Sequence, residues 1–438
     1  MPCLATLKNV ADGITVSALN AGPQIAWQLK VMATPVREPP CQPVRLAVVS
    51  SHPIQYQCPI WQKLAGRPDT TLRVFFGSDF SVRGYHDKGF GQTVQWADSL
   101  LAGYDHQSLS SSPINSFFFA GSLQLLQRLR DFQPTACLIN GYSPLLYWHT
   151  VVVCRWLGIP LIMRAETTDV DRHRGPLHRV LRDTVLKIFY AQLSGFLAIG
   201  HNSRQHYQRL GVRPQRCGLA PYCVDSDLFE QQYKQRVPGK LRQSLSIPSA
   251  ALVVLFSGKL IDKKDPFTLL DAIVQLPTVA GRPVHSIFLG DGNLRQSLEQ
   301  KARESACDRV HFIGWQPQEK LGEVYADADM LVLPSVFSET WGLVVNEAMQ
   351  FGVPCIVSDR VGCGPDLIRD SETGFIFPHG DAAALRLQIA KLASMLVSKR
   401  EQIHAACRDR VALYSVAAAA AGIAEALTHL PSARISLP

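Results

Sequence analysis

The sequence predicts an α/β protein of two doubly wound domains facing a cleft, and three observations predict it. The chain has 438 residues, too many for one compact core at roughly 100–200 residues per domain. Short β-rich apolar runs alternate with amphipathic stretches in two separate series, the pattern of βαβ units around parallel sheets. Between the series lies a polar segment, 226–248, carrying Gln231-Gln232, Lys234-Gln235 and Pro238-Gly239, which reads as the linker.

Taken in order, residues 1–43 close on a Pro-rich run and show weak periodicity, the pattern of a loosely ordered leader; a misassigned start codon reads the same way. They lack a basic n-region, and Lys8, Asp12, Gln24 and Lys30 interrupt every apolar run, so no secretory signal is expected. A first domain over 44–225 carries strands at 44–49, 72–76, 136–139, 161–163 and 196–199. Its most apolar stretch, 145–163, is broken by His149, Arg155 and Gly158-Ile159-Pro160, so it reads as a helix and a strand and not as a membrane span. A second domain over 249–410 carries strands at 252–257, 286–289, 310–313, 330–333 and 355–358. Leu321, Val324, Tyr325 and Ala328 follow helical spacing, and Asp265-Pro266 pairs an N-cap with a first helical residue. Residues 411–430 are expected to form a last helix returning to the first domain.

Composition excludes other classes. With 47% apolar and 18% charged residues the chain is neither disordered nor fibrous. Its net charge of +8 suits an anionic partner without choosing one. The 11 cysteines are scattered and form no C-x-x-C pair, which argues against a disulfide framework or zinc site and for a reducing cytosol. Three Asp-x-Asp strings, at Asp169, Asp225 and Asp327, show by their number how little each means; Asp327 and Asp329 read as turn chemistry closing a helix, and no metal or other cofactor is expected.

The most informative window runs from Pro334 to Ala348. A strand ends at Pro334, a polar loop holds Glu339, and a helix starting near Gly342 carries Glu347. At ~1.5 Å per helical residue the two carboxylates lie no more than about 12 Å apart along the axis, a span suited to two hydroxyl-bearing parts of one ligand. Between them the backbone N–H groups of Gly342 and Leu343 form a helix N-terminus suited to phosphate. Equally, Glu339 reads as a loop carboxylate and Glu347 as a solvated helix residue.

Glu, seven residues, Glu, with Gly-Leu between them and Asn-Glu-Ala at the end, resembles the signature of family-4 retaining glycosyltransferases of the GT-B fold. Gly258-Lys259 through Lys264-Asp265-Pro266 resembles that family's phosphate-binding loop, Leu289-Gly290-Asp291-Gly292 the next strand end, and Phe312-Ile313-Gly314-Trp315 the base-binding edge. The resemblance covers roughly 44–430. It implies an enzyme moving a sugar from a nucleotide-diphosphate sugar to an acceptor hydroxyl with retention, in polysaccharide, glycolipid or other glycoconjugate synthesis. The first domain would serve the acceptor and the second the donor, the nucleotide-sugar being a substrate. Glu347 would hold the ribose, Glu339 the donor sugar, and Lys259 and Lys264 the diphosphate; Gly258, Gly342, Leu343, Asp291 and Trp315 would complete the donor site. The family commonly has Arg where this chain has Lys259, which lacks the bidentate fork. Lys263 is left to solvent. The loop Val361 to Asp366 resembles the family's Gly-rich segment, with Asp366 where Glu is usual, and reads as structural.

In the first domain His52 and Gln55 follow the first strand within Ser51-His52-Pro53-Ile54-Gln55-Tyr56, resembling a subgroup whose loop lacks the usual glycines. Contact with donor or acceptor and simple loop packing both remain open for them. Glu166 stands where relatives have a donor-facing histidine; it reads as a sugar ligand or acceptor base, or as an ion-pair partner of Arg164. From Arg164 to Arg216 ten basic residues against four carboxylates concentrate +6 of the charge. Leu177, Val180, Leu181, Val185, Leu186 and Phe189 give a helix there an apolar face that either packs on the sheet or lies weakly on an anionic membrane surface, which would make a cytoplasmic protein peripheral on the inner face. Competing readings are a sugar-nucleotide epimerase or hydrolase of the same fold and a nucleic-acid-binding protein. Aromatic side chains are not interleaved with the basic run as a stacking platform would need, so no nucleic-acid partner is expected.

Overall fold

The computed structural model describes residues 43–87, 92–94, 98–110, 122–143, 145–169, 175–337, 339–431 and 433; the expected leader over 1–43 lies outside them except for Pro43. Strands β1 (Val44–Ser50) and β2 (Thr70–Phe76) are followed by an antiparallel pair, β3 (Tyr85–Asp87) with β4 (Gln92–Val94). Then come β5 (Asp105–Ser108), β6 (Ala136–Ile139), β7 (Leu161–Arg164), β8 (Gly195–Ala198) and β9 (Cys217–Leu219). They form a parallel sheet in the order β5-β2-β1-β6-β7-β8-β9. The second sheet contains β10 (Leu252–Ser257), β11 (Thr278–Val279), β12 (Arg282–Leu289), β13 (Val310–Gly314), β14 (Met330–Leu333), β15 (Cys355–Ser358) and β16 (Gly374–Phe377). Its order is β11-β12-β10-β14-β15-β16, with β13 also paired to β12 and β11 the antiparallel member.

Helices cover the faces of these sheets, so the central strands are buried on both sides and read as continuous apolar runs. All six residues of β10 are buried. The helices that matter for the site and its frame are α1 (Cys58–Ala65), α2 (Ser122–Phe132), α3 (Leu146–Leu157), α4 (Pro176–Tyr190), α5 (His201–Arg209), α6 (Ser226–Gln235), α7 (Pro266–Val274), α8 (Leu343–Gln350), α9 (Ala382–Ala412) and α10 (Val416–Thr428). In α7 the Asp265 carboxylate accepts from the Thr268 N–H and Pro266 opens the helix, as its sequence requires.

The polar segment over 226–248 is itself helical. Asp225 caps α6 by accepting from Leu228 N at 3.2 Å, and Phe229 meets Phe351 edge-on at 6.3 Å. The third Asp-x-Asp string is a buried bracket: Asp327 accepts from the N–H groups of Leu241 and Arg242 at 2.8 and 3.0 Å. Asp329 takes Val253 N at 2.8 Å and the guanidinium groups of Arg242 and Arg400 at 2.9 and 2.7 Å.

After α9 the chain crosses back to the first sheet. Val416, Ala419, Ala420, Ile423 and Leu427 of α10 share one core with Leu46, Val48, Leu138, Ile162 and Leu197. The 47-residue helical stretch that ends in α10 is long and apolar enough to cross a membrane by composition. For α10 this packing accounts for the apolarity.

Both sheets reverse direction of winding at one point. In the first it lies between β1 and β6, in the second between β10 and β14. Ligands of such sheets bind beyond the carboxyl ends of the strands at these crevices.

Candidate active site

At the second crevice, the loop after β10 and the loop after β14 are tied together. Val336 N donates to Lys263 O at 3.0 Å, and Lys264 Nζ donates to Glu339 Oε2, which also accepts from Ser335 Oγ at 3.0 Å. This pair is nearly dry, with side-chain exposures of 15% for Lys264 and 9% for Glu339. Burial raises the Glu339 pKa, but the charges of Lys264 and Lys263 outweigh it and hold the carboxyl below its ordinary value. Two residues to which the resemblance gives separate roles are therefore direct partners. Lys263 is partly buried, and its charge also acts on Glu339.

From the other side the Val361 to Asp366 loop props the Glu339 loop. Gly362 N donates to Glu339 O and Cys363 N to Trp341 O, both at 2.9 Å. Gly342 caps α8 at φ +102°, and a Cβ there would stand 2.8 Å from Leu333 Cδ2, so both conformation and space require glycine. One turn and more into α8, Glu347 Oε2 accepts from Tyr325 OH at 2.6 Å, and that hydroxyl lies 3.2 Å from Ser257 Oγ. Burial pushes the Glu347 pKa up to about 7, against the Tyr325 hydrogen bond and the Lys264 charge. Asn346, fully buried, accepts from Trp341 Nε1 at 2.7 Å and donates to Tyr222 O at 3.4 Å, so the motif's asparagine joins the two halves of the molecule.

Gly258, Lys259, Lys264, Glu339, Gly342, Leu343 and Glu347 thus lie on the two strand-end loops of one crevice, or on the helix that the β14 loop opens. Asp291 and Trp315 lie at the ends of β12 and β13 on the flank. Leu260 N donates to Asp291 O and Gly290 N to Gly314 O, both at 2.9 Å, so these loops are laced to the β10 loop through backbone. The Asp291 carboxylate is engaged locally, by Gly292 N and by Arg295, each at 2.9 Å. Trp315 is 40% exposed.

Across the cleft, Glu166 follows β7. Its Oε1 accepts from Tyr222 OH and, at 3.5 Å, from Tyr56 OH, while Oε2 faces Thr340 Oγ1 at 3.5 Å. Glu166 therefore reaches the residue next to Glu339. Arg164 turns elsewhere, donating to the carbonyls of Ala220 and Pro221 at 3.0 and 2.7 Å. His52 bonds Ser51 Oγ at 3.0 Å and meets the Phe80 ring at a tilt, 4.7 Å between ring centres. Burial lowers its pKa to about 4, so it is a neutral hydrogen-bonding group and supplies no positive charge at neutral pH. Gln55 lies in the same loop, its Oε1 buried without a hydrogen-bond partner among the described residues.

The sequence reading did not find Tyr325, Ser335, Tyr56, Tyr222 or Thr340 in the site. Tyr325 carried the signal of a core helix residue, which it also is; its hydroxyl acquires a partner only when α8 is in place.

The match to known proteins follows this geometry. Residues 239–410 fit the family model described as glycosyl transferases group 1. The D-inositol 3-phosphate glycosyltransferase of Corynebacterium glutamicum (strain R) is 30% identical over 327 residues, 67% of this chain and 75% of that protein. The sulfoquinovosyl transferase SQD2 of Arabidopsis thaliana is 32% identical over 201 residues, and the match spans 45% of this chain and only 36% of that protein. Among solved structures, Anabaena Alr3699/HepE in complex with UDP superposes with a TM-score of 0.67 at 18% identity, covering 88% of this chain and 100% of that one. A glycosyltransferase from Rickettsia africae gives 0.68 at 13% identity, covering 89% and 98%. The two facing parallel sheets are the GT-B fold, and with the relative from Corynebacterium matched over three quarters of its length, this chain belongs to the group 1 glycosyltransferases.

Proposed function

We propose that this chain transfers a sugar from a nucleoside-diphosphate sugar to an acceptor hydroxyl with retention of anomeric configuration, in the synthesis of a glycoconjugate. The observation that carries the reading is the pairing of Lys264 with Glu339 beside Glu347 at the crevice between β10 and β14, opposite Glu166 of the first sheet. The solved neighbours in complex with UDP and with UDP-glucose support a nucleotide-sugar donor.

In this reading Glu347 holds the ribose hydroxyls and Glu339 a hydroxyl of the donor sugar. Lys259, Lys264 and the N-terminus of α8 at Gly342 and Leu343 face the diphosphate. Negative charge on that diphosphate grows as the glycosidic bond breaks, so cations placed there act mainly on the transition state. Glu339 fixes Lys264 beforehand, sparing the lysine the rotamer entropy it would otherwise lose on binding. Glu166, held by tyrosine hydroxyls, orients the acceptor hydroxyl or the sugar against it.

A thermal-shift screen of nucleoside diphosphates tests donor binding, since a ligand at ~100 times its Kd stabilises by about 2.7 kcal/mol. NMR of the anomeric proton in the first product formed then tests retention. With protein groups carrying the phosphate charge, turnover is expected to survive excess EDTA. Loss of activity in EDTA with recovery on Mg²⁺ or Mn²⁺ would replace this account with a metal-dependent one.

A further inference from the structure

Helix α4 is apolar on two opposite faces. At 3.6 residues per turn, Leu186, Phe189 and Tyr190 point to the sheet, and each is buried. Leu177, Val180, Leu181, Val185 and Ile188 fall on the other side, with exposures of 82, 64, 64, 41 and 58%. The single apolar face expected from the sequence, which mixed both sets, is therefore split: its Leu186 and Phe189 are core and the rest is an outward stripe. At ~1.5 Å per residue the stripe runs about 17 Å.

The neighbouring helix extends it. Trp148 of α3 packs on Phe189 of α4 with ring centres 4.5 Å apart, and α3 presents Val152 and Trp156 outward at 67 and 54% exposure. Arg130 of α2 sits over the Trp156 ring at 4.6 Å. Monomeric surfaces scatter such side chains singly, whereas a contiguous set marks an interaction site.

Charge identifies the partner. Arg155, Arg179 and Lys187 are exposed on α3 and α4. The one acidic residue of these two helices, Asp183, is occupied by Arg209 at 3.0 Å and Arg182 at 3.6 Å. A second copy of the chain would bring the same cations face to face across a two-fold axis. An anionic lipid surface offers the opposite charge to the basic groups and hydrocarbon to the stripe.

We propose that the outer face of α3 and α4 docks the protein on an anionic bilayer, with Leu177, Val180, Leu181, Ile188 and Trp156 entering the headgroup boundary and Arg155 and Lys187, at its flanks, meeting lipid phosphates. The face lies on helices of the first sheet, whereas the nucleotide crevice is built from the loops after β10 and β14 of the second, so docking and donor binding use different residues.

Co-sedimentation with phosphatidylcholine vesicles, with and without phosphatidylglycerol, tests it. Expected is binding to the anionic vesicles that weakens as salt rises. Two double variants, Leu181→Asp with Ile188→Asp and Arg155→Glu with Lys187→Glu, should each lower partitioning at least about tenfold. All four positions are exposed, so the melting temperature and the nucleotide-induced shift should stay as in the wild type. No binding to either vesicle, equal binding to both, or unchanged binding by the variants overturns the proposal. So does a dimer in sedimentation velocity that Leu181→Asp with Ile188→Asp dissociates, which would make the face a contact between copies.

Discussion

Glu347 carries a pH dependence with a definite sign. Its carboxyl, pushed up to about 7 by burial, must be ionised to accept hydrogen bonds from ribose, so nucleoside-diphosphate affinity should fall as pH drops through 7. A pKa there makes binding about tenfold weaker at pH 6 than at pH 8, measurable by calorimetry, while Glu347→Gln should be weaker throughout and flat. A flat wild-type profile would take Glu347 off the ribose. Lys264 acts on the opposite sign of charge. Lys264→Ala leaves Glu339 buried without its cation, so the carboxyl pKa climbs and the acid limb of the rate profile moves to higher pH. The same change should lower kcat/KM at least about tenfold, equivalent to ~1.4 kcal/mol of transition-state stabilisation, and more than Lys263→Ala does. Equal losses in the two variants would make them interchangeable charges. The seven-residue spacing of Glu339 and Glu347 was legible because one loop and one helix turn carry both. The contact from Lys264 to Glu339 was not, because 75 positions separate them and only the adjacency of β10 and β14 brings them together.

At the scale of elements, periodicity reports that a stripe is apolar without reporting which way it faces. This is why β10 was readable, a continuous apolar run being buried from both sides, while the face of α4 was misjudged. β5 escaped for the converse reason. Its sequence, Asp-His-Gln-Ser, is polar and lies at the sheet edge, where pairing with Arg73 to Phe76 needs only backbone groups. Gly422 shows a different constraint. A glycine inside a helix costs about 0.8–1.0 kcal/mol relative to alanine, yet a Cβ at 422 would stand 1.8 Å from Leu219 O. The close approach of α10 to β9 requires it. Gly422→Ala should therefore destabilise, by about 1–3 kcal/mol of overpacking despite the better helix propensity, read as a lower urea midpoint. A more stable variant would mean that α10 slides without cost.

For the whole molecule, Asp366 is the clamp between the halves. Its carboxylate accepts from the first N–H of α5, His201, at 2.9 and 3.0 Å, and from Tyr414 OH at 2.9 Å, while Asn202 reaches Gly362 O at 3.0 Å. The shorter acid in place of the family's glutamate thus has a structural place. Asp366→Ala should lower stability by about 1–3 kcal/mol through the orphaned partners, measured by urea unfolding, with nucleotide affinity little changed at saturating protein stability. A large affinity loss at unchanged stability would put Asp366 in the donor site instead. The return of α10 to the first sheet also sets an order of events during synthesis. The strands of that sheet are finished by Leu219, but the layer over Leu46, Leu138 and Ile162, begun by Ile60, Trp61 and Leu64 of α1, is completed only with Ala419, Ile423 and Leu427. At ~5–20 residues per second the ribosome takes roughly 10–40 s to supply it. For that interval the nascent first sheet carries a hydrophobic flank only partly covered, an opportunity for chaperones and a hazard on crowded polysomes.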